Sequence, residues 1–454
     1  MFYYRGKKIN RVGFLGLGKS NSGVLEYLAR HNSDIKITLR SSSPVYPSDL
    51  RADRTYFKDS MLSEIEEDIL FISPSARRDS KELREAEMRG VILSSDSEFF
   101  FSESNADIYA VTGSDGKSTT TYLTSKLLKK GYSDAIPCGN IGDAMTPHLD
   151  DKKKTAYVAE LSSFQLMYMK PQSVRCVITN ITKNHLNWHV SFEEYINSKR
   201  NILENSKQRI INFDCGISAN AAYDYDIFAV FSQNLSEEAL KRQINAELYI
   251  TEKNKKILVS GDEFLDTKKI LVGGDHNILN FMAAIAMSYG KCGKEDILEL
   301  AKSFGGLPHR CEFVGEYNGV KYYDSSIDSS PKRCSATLKA MPGKVILILG
   351  GRSKGLDYRE LLPILARKTK LLILTGETAQ ELEALIREDI TLDLLRYKKI
   401  NDFYDAVEYA SNVAEYGDTV LLSPAATSFD RFSNFEERGN VFKRYIKDLK
   451  KKGQ

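Results

Sequence analysis

Residues Ala106–Gly131 read ADIYAVTGSDGKSTTTYLTSKLLKKG. Ile108–Thr112 predicts a short buried strand and Gly113–Ser118 a tight turn. Thr119–Lys130 predicts a helix with Leu123, Leu127 and Leu128 on one face and Gly131 as its C-cap. Strand, glycine turn and helix together form a cradle for a polyphosphate. Glycines let backbone N–H groups approach the anion, and the helix N-terminus adds partial positive charge. Lys117 supplies a point charge for the β/γ-phosphates and Ser118 a hard oxygen for Mg²⁺. Only two residues separate Gly113 from Gly116, against four in the common phosphate loop. A glycine turn before an ordinary amphipathic helix is the bland alternative, and the flanking strand and helix favour nucleotide binding.

Working outward, 454 residues suffice for two to four domains with full cores. The apolar fraction of 42% and charged fraction of 28% are those of an ordinary soluble protein. A net charge of +3 gives no global pull toward nucleic acid. The basic end Lys443–Lys452 reads as a solvated helix end. Cysteines 138, 176, 215, 292, 311 and 334 lack metal spacing, which fits a reducing cytoplasm. MFYYRGKKIN is no signal peptide, and no apolar run of about 18 residues occurs, so no membrane association is expected.

N-terminal to the glycine turn, Arg11–Leu15 predicts a strand leading into Gly16-Leu-Gly18-Lys-Ser20 and a helix. The next strand, Ile35–Leu39, ends in Arg40-Ser-Ser-Ser, without the acid that an NAD ribose requires. The segment reads as a Rossmann-like module gripping nucleotide phosphates, with NAD the lesser reading. Asp68–Ser73 and Val91–Leu93 predict further strands around a helix at Lys81–Met88.

C-terminal to the turn, strand Thr155–Ala159 ends at Glu160, where a carboxylate beside a phosphate loop can hold Mg²⁺. Strand Val174–Thr179 precedes Asn184-His185-Leu-Asn187-Trp188-His189. The two histidines would suit zinc only on a helix, and their asparagine neighbours predict a loop. Ser191-Phe-Glu-Glu194 predicts a capping box, opening a helix whose apolar stripe includes Lys199. An inward lysine either snorkels or is a functional amine; taken alone, snorkelling is preferred.

Arg209–Val272 predicts an antiparallel patch, and Gly273–Asn280 opens an apolar helix with Asn277 and Asn280 on one face. Those amides suit an adenine or ribose edge, or are buried caps. From Gly305 the pattern returns to alternating strands and helices, with continuous apolar strands at Lys344–Leu349 and Leu371–Leu374. The expected fold class is α/β. Its three parts are a Rossmann-like domain over 1–97, a phosphate-loop ATP-binding domain over 98–305, and a Rossmann-like domain over 306–454.

VTGSDGKSTT, GNIG (Gly139–Gly142), ELSSFQL, NHLNWH…YINSK, GDHNILN, LPHRCEF, LGGRSKGLD and LLSPAATSFDRFSNFEERG together resemble the Mur ligases of peptidoglycan synthesis over the whole chain. The last segment resembles the members that add D-glutamate to UDP-N-acetylmuramoyl-L-alanine. The resemblance implies ATP binding by Gly113, Ser114, Asp115, Gly116, Lys117, Ser118, Thr119, Asn277, Asn280, Arg310 and Asp324. It implies two Mg²⁺ sites, one at Ser118 and Glu160, the other at His185 and a carbamylated Lys199. It places the UDP-sugar at Gly16, Gly18, Ser20, Asn140, Ser162 and Gln165, and D-glutamate at Lys354, Ser428 and Phe435. Lys117, Glu160, His185 and Lys199 are the implied catalytic group, in a monomeric cytoplasmic enzyme.

Asn184 and Asn187 replace the family's usual aspartates, and Ser41 stands where an aspartate reads uracil. In Asp324-Ser325-Ser326-Ile327-Asp328 the leading aspartate is kept, while Ser326 replaces a lysine and Asp328 a threonine. Competing readings are a folylpolyglutamate-type ligase, a nicotinamide dehydrogenase built on Gly16–Gly23, and an NTP-driven switch that joins no substrates.

Overall fold

The computed structural model describes residues 2–32, 34–42, 52–141, 144–151, 155–353 and 355–452. The chain divides into two units, Met1–Ser303 and Phe304–Gln454. Among the described residues no helix is long and apolar enough to cross a membrane, and all six cysteines are free.

In the first unit, a five-stranded parallel sheet runs Arg54–Phe57, Lys36–Ser41, Arg11–Leu15, Ile69–Ile72, Ile92–Ser94 across its width. Chain order reverses between Arg11–Leu15 and Ile69–Ile72, and such switch points open a crevice at the strand C-termini. The Gly16 turn and the loop from Ser73 therefore face each other there. A Cβ on Gly16, whose φ is 79°, would lie 3.2 Å from that of Ser73.

A nine-stranded sheet fills the rest of this unit. Its order is Asp262–Asp266, Lys256–Val259, Ala246–Lys253, Ile227–Ser232, Ser206–Asn212, Ser173–Ile178, Asp107–Thr112, Thr155–Glu160, Asp134–Gly139. The antiparallel patch expected over 209–272 is corrected in two respects. Ser206–Asn212, Ile227–Ser232 and Ala246–Lys253 pair in parallel, linked through helices Gly216–Ala222 and Glu237–Lys241, which are too short to give a clear helical period. Only Ala246–Lys253, Lys256–Val259 and Asp262–Asp266 form an antiparallel ribbon. Lys268–Val272 is not a strand, since a 3₁₀ turn occupies Thr267–Lys269. Ile227–Ser232 is buried throughout, as a parallel strand covered on both faces must be.

The helix after the glycine turn is Lys117–Leu128, two residues earlier at each end than expected. Gly131 is not a left-handed cap. A Cβ there would lie 2.9 Å from the Lys291 carbonyl oxygen, so close backbone approach explains the glycine. Helix Asp96–Glu103 serves both sheets. Phe99 packs in the core of the five-stranded sheet and Phe100 in that of the nine-stranded one. The buried Asp96 carboxylate accepts from the Met145 and Thr146 N–H groups and the Thr146 hydroxyl.

The second unit carries a six-stranded sheet ordered Glu312–Tyr317, Val320–Asp324, Thr419–Leu422, Val345–Gly350, Thr369–Thr375, Tyr397–Lys399. All neighbours are parallel except the first pair. That hairpin turns at Asn318 (φ 52°) and Gly319 (φ 73°), the left-handed pair a tight hairpin favours. Helix Phe435–Lys452 closes the unit by burying Val441, Phe442 and Ile446 against Ile346, Ile348 and Val420.

One buried ion pair anchors the first sheet. Arg40 and Glu67 are 1% and 3% exposed, with Nη2 2.8 Å from Oε1. The guanidinium also donates to the Met61, Ser63 and Glu64 carbonyls. Removing one partner strands a buried charge. Arg40→Ala is expected to lower unfolding free energy by about 3–5 kcal/mol in urea titration, and the double variant Arg40→Met/Glu67→Leu by less.

Candidate active site

The loop after strand Asp107–Thr112 is shaped by two glycines. Gly113 has φ 153° and faces the Thr179 hydroxyl so closely that a Cβ would lie 1.8 Å from it. Gly116 has φ 77°, and a Cβ would meet Asn280 Oδ1 at 2.4 Å. The loop leans on the next strand's end: Ser114 N–H donates to the Asn180 carbonyl at 2.9 Å, and Asp115 N–H to Asn180 Oδ1 at 2.8 Å. Lys117 Nζ donates to the Ser114 carbonyl at 2.8 Å. Ser118 and Thr119 follow on the helix's half-buried first turn.

Asn280 belongs to this wall. It accepts from the Thr120 hydroxyl and donates to Asn277 Oδ1, both at 3.3 Å. Asn277 in turn donates to the Val272 carbonyl at 2.9 Å. Both amides are buried, and together they tie helix Asp275–Ser288 to the loop.

Glu160 ends its strand 1% exposed. Its Oε1 accepts from Asn140 Nδ2 at 2.7 Å, whereas Oε2 is buried with no hydrogen-bond partner among the described residues. Lys199 lies 2% exposed on helix Phe192–Glu204, its Nζ donating to the Gly113 carbonyl at 2.7 Å. The snorkelling preference is thus overturned: the amine points into the protein. Burial, with Lys117 nearby, pulls its pKa from 10.5 to about 7. His185 is exposed, with φ 55°. Burial, Lys199 and Lys117 lower its pKa, which favours the neutral imidazole a metal requires.

The expected capping box at Ser191 forms only in half. Ser191 accepts from the Glu194 N–H, but the Glu194 carboxylate turns to Val190 N–H, His189 and Arg77. His189 points inward rather than joining His185. Its Nδ1 lies 3.1 Å from Glu194 and its Nε2 2.9 Å from the Ser163 hydroxyl.

The residues assigned to the sugar nucleotide fall in two groups. Gly16 and Gly18 occupy the first sheet's switch-point turn, and Ser20 the first turn of helix Lys19–His31. Asn140 is held by Glu160. Ser162 and Gln165 form a complete capping box, and Gln165 Nε2 donates to Ser97 at 2.6 Å. Sequence reasoning missed Asn21, whose amide donates to the Leu15, Gly16 and Phe71 carbonyls and so locks that turn. It also missed Tyr195, whose hydroxyl meets that of Ser114 at 2.7 Å. Neither has a local sequence signal.

In the second unit, Asp324 is fully buried, with Oδ2 2.8 Å from His309 Nδ1 and Oδ1 accepting from the Ser326 N–H. Phe435 packs edge-on against His309 at 6.0 Å. Arg310 is exposed, and Ser428 is 2% exposed. Lys354 lies outside the described residues. Ser326 and Asp328 are both buried; Asp328 accepts from the Thr337 and Ser423 hydroxyls. Arg438, also missed, is 2% exposed and donates to the Thr427, Ala426 and Ser326 carbonyls. Burial pulls its pKa down to about 10.

Residues 111–288 match the family model described as Mur ligase middle domain, and 309–426 match Mur ligase, glutamate ligase domain. The UDP-N-acetylmuramoylalanine--D-glutamate ligase of Ruminiclostridium cellulolyticum is 38% identical over 98% of this chain and 97% of its own length. That of Acetivibrio thermocellus is 36% identical, over 97% of each. The chain belongs to the Mur ligase family. Solved structures agree in fold. The UDP-N-acetylmuramate-alanine ligase MurC of Thermotoga maritima superposes with TM-score 0.50 at 15% identity, covering 97% of this chain and 100% of that one. A UDP-N-acetylmuramoyl-L-alanyl-D-glutamate--2,6-diaminopimelate ligase gives 0.54 at 16%, covering 96% and 91%.

Mur ligases are ATP-dependent and need Mg²⁺, and the residues present fit both. Glu160 Oε2 is a buried carboxylate oxygen without a hydrogen-bond donor among the described residues, and a hard cation takes oxygen ligands of this kind. The glycine turn of this Mur ligase leaves no room for a side chain at Gly113 or Gly116, and a turn of this kind at a helix N-terminus suits a phosphate.

Lys199 also gives the fold a pH signature. Its folded pKa of about 7 lies below the ordinary 10.5. The unfolded state therefore binds more protons between those values, and the penalty of burying the amine is complete below the folded value and relieved as pH rises. Urea titrations of wild type and Lys199→Met are expected to show the free-energy difference moving in wild type's favour from about pH 7 to about pH 9.

Proposed function

We propose that this Mur ligase joins D-glutamate to UDP-N-acetylmuramoyl-L-alanine at the expense of ATP, in the cytoplasm. The observation that carries the chemistry is the convergence beside one phosphate loop of a buried unpartnered carboxylate oxygen and a buried lysine amine. The amino-acid choice rests on relatives named as D-glutamate ligases, aligned over nearly the whole chain. The residues divide by task. Residues 1–97 hold the sugar nucleotide with Asn140, Ser162 and Gln165. Residues 98–305 hold ATP, and 306–454 take the amino acid with Lys354, Ser428 and Phe435.

A carboxylate and an ammonium do not condense at neutral pH. A substrate carboxylate oxygen therefore attacks the γ-phosphorus of ATP and ADP leaves, giving an acyl phosphate. The ammonium of D-glutamate loses one proton to solvent, the free amine adds to the carbonyl carbon, and the tetrahedral adduct loses a second N–H proton to solvent as it expels phosphate. Lys117 and the loop N–H groups stabilise charge on the transferring phosphoryl group, so the protein's work is mostly positioning. Ser118 with Glu160, and His185 with Lys199, would hold two Mg²⁺, which supply further charge neutralisation. For that role Lys199 is carbamylated. The neutral amine, accessible because its pKa is about 7, bonds through nitrogen to the carbon of CO₂ and releases a proton, becoming an anionic oxygen donor.

Assays pairing each candidate UDP-sugar with each amino acid are expected to release ADP fastest with UDP-N-acetylmuramoyl-L-alanine and D-glutamate. Nicotinamide absorbance should not change. Lys117→Ala should lower turnover by roughly 10²–10³. Faster joining of L-alanine or a diamino acid would return the assignment to the wider family.

Lys199→Ala is expected to be nearly inactive and to regain part of its turnover with added formate or acetate, which replace the lost carboxylate oxygens. Equal recovery with chloride at the same ionic strength would remove the carbamate.

A further inference from the structure

His185 is an exposed left-handed residue in a stretch without regular secondary structure, between Ile178 and helix Phe192–Glu204. Its backbone ties among the described residues are local: the Trp188 and His189 N–H groups reach its carbonyl, each at 3.0 Å, and its own N–H donates to Asn184 Oδ1 at 2.8 Å. Loops built this way open easily unless something fixes them from outside. Outside contacts include Ser114, which bonds Thr182, the Phe164 ring, which packs on His185 and Trp188, and an arginine from the loop after strand Ile69–Ile72.

Arg77 follows strand Ile69–Ile72, in the loop that faces the Gly16 turn. Its Nη1 donates to the Trp188 carbonyl and to Glu194 Oε2, both at 3.0 Å, and its Nη2 to Glu194 Oε1 at 3.1 Å. The guanidinium lies 5.0 Å from the Trp188 ring centre, and Trp188 Nε1 donates back to the Ser75 carbonyl at 3.0 Å. Arg77 also holds Glu194 down to a pKa of about 2. Glu194 stays an anion and can bind Val190 N–H and His189 together. His189 carries the chain on to Ser163, three residues past Glu160. The rigid fork of an arginine, whose Nε also donates to Asp79 at 2.7 Å, suits this task, whereas a lysine would present a single flexible point charge.

We infer that Arg77 is a positioning residue for the second metal site, fixing the His185 loop through Trp188 and Glu194, and that it couples filling of the sugar-nucleotide crevice to metal affinity. The inference rests on the reading of His185 as a ligand. Coupling follows because the loop that carries Arg77 begins at Ser73, which stands against the Gly16 turn, and the Ser73 and Ser75 hydroxyls lie 3.1 Å apart. A ligand that orders this loop orders the metal loop in the same act, and reciprocity requires the metal to tighten the sugar nucleotide equally.

Mn²⁺ binding followed by electron paramagnetic resonance, with a non-hydrolysable ATP analogue, tests this without turnover. Wild type is expected to bind two Mn²⁺, the second more tightly when UDP-N-acetylmuramoyl-L-alanine is added. Arg77→Ala should weaken the second site about 10- to 100-fold, as loss of an outer-shell partner does, and abolish the tightening. The first Mn²⁺ and the nucleotide should bind as before, and Arg77→Lys should lie between. Glu194→Gln, which keeps shape and loses charge, should repeat the pattern if Arg77→Ala does not fold. Unchanged second-site affinity in a folded variant overturns the role of Arg77 alone. A wild type that binds only one Mn²⁺ with both ligands present overturns the His185 reading and the inference together.

Discussion

The hydrogen bond from Lys199 Nζ to the Gly113 carbonyl joins the two requirements of this fold. A phosphate loop presents N–H groups to an anion, so its carbonyls face the protein and need donors there. Lys117 and Lys199 supply two of these donors, one from the loop's own helix and one from helix Phe192–Glu204. The same contact keeps an amine out of water, and the desolvation that makes it costly also makes it reactive. Glu160 and Asn140 stand near this point because strands Thr155–Glu160 and Asp134–Gly139 end beside one another next to strand Asp107–Thr112, and Tyr195 reaches Ser114 from helix Phe192–Glu204.

What the sequence revealed and what it withheld separate along one line. Local geometry was legible. Strand Arg11–Leu15 and helix Lys81–Met88 lie where their patterns place them, and the glycine turn is confirmed by φ values that only glycine adopts easily. Pairing direction was not legible between 209 and 272, because links of five and seven helical residues do not show a period. The site divides similarly. Lys117 and Glu160 announce themselves by neighbouring residues, whereas Asn21, Arg77 and Arg438 act across distant contacts and sit in unremarkable surroundings. Lys199 could not be decided from its stripe alone, since snorkelling and burial share one pattern. Ser162 and Gln165 show a further ambiguity, a polar pair that the chain uses as a helix cap.

The two sheets of the first unit share parts. One helix gives adjacent phenylalanines to two cores. Arg78 adds another tie, stacked 4.6 Å from the Tyr168 ring centre and paired with Glu98. Such joints fix orientation more strictly than apolar contact, because each polar group tolerates only a narrow range of partner positions.

The margins of the nine-stranded sheet have a consequence for behaviour in crowded solution. An open sheet of this width ends in two rows of backbone groups open to recruitment by another chain. One margin is Asp262–Asp266, with an acid at each end and Glu263 between. The other, Asp134–Gly139, carries Pro137, which has no N–H to offer. Charge repels a second copy on one side, and a missing donor interrupts the ladder on the other. Strand-by-strand growth into aggregates is thereby opposed at both places where it would begin.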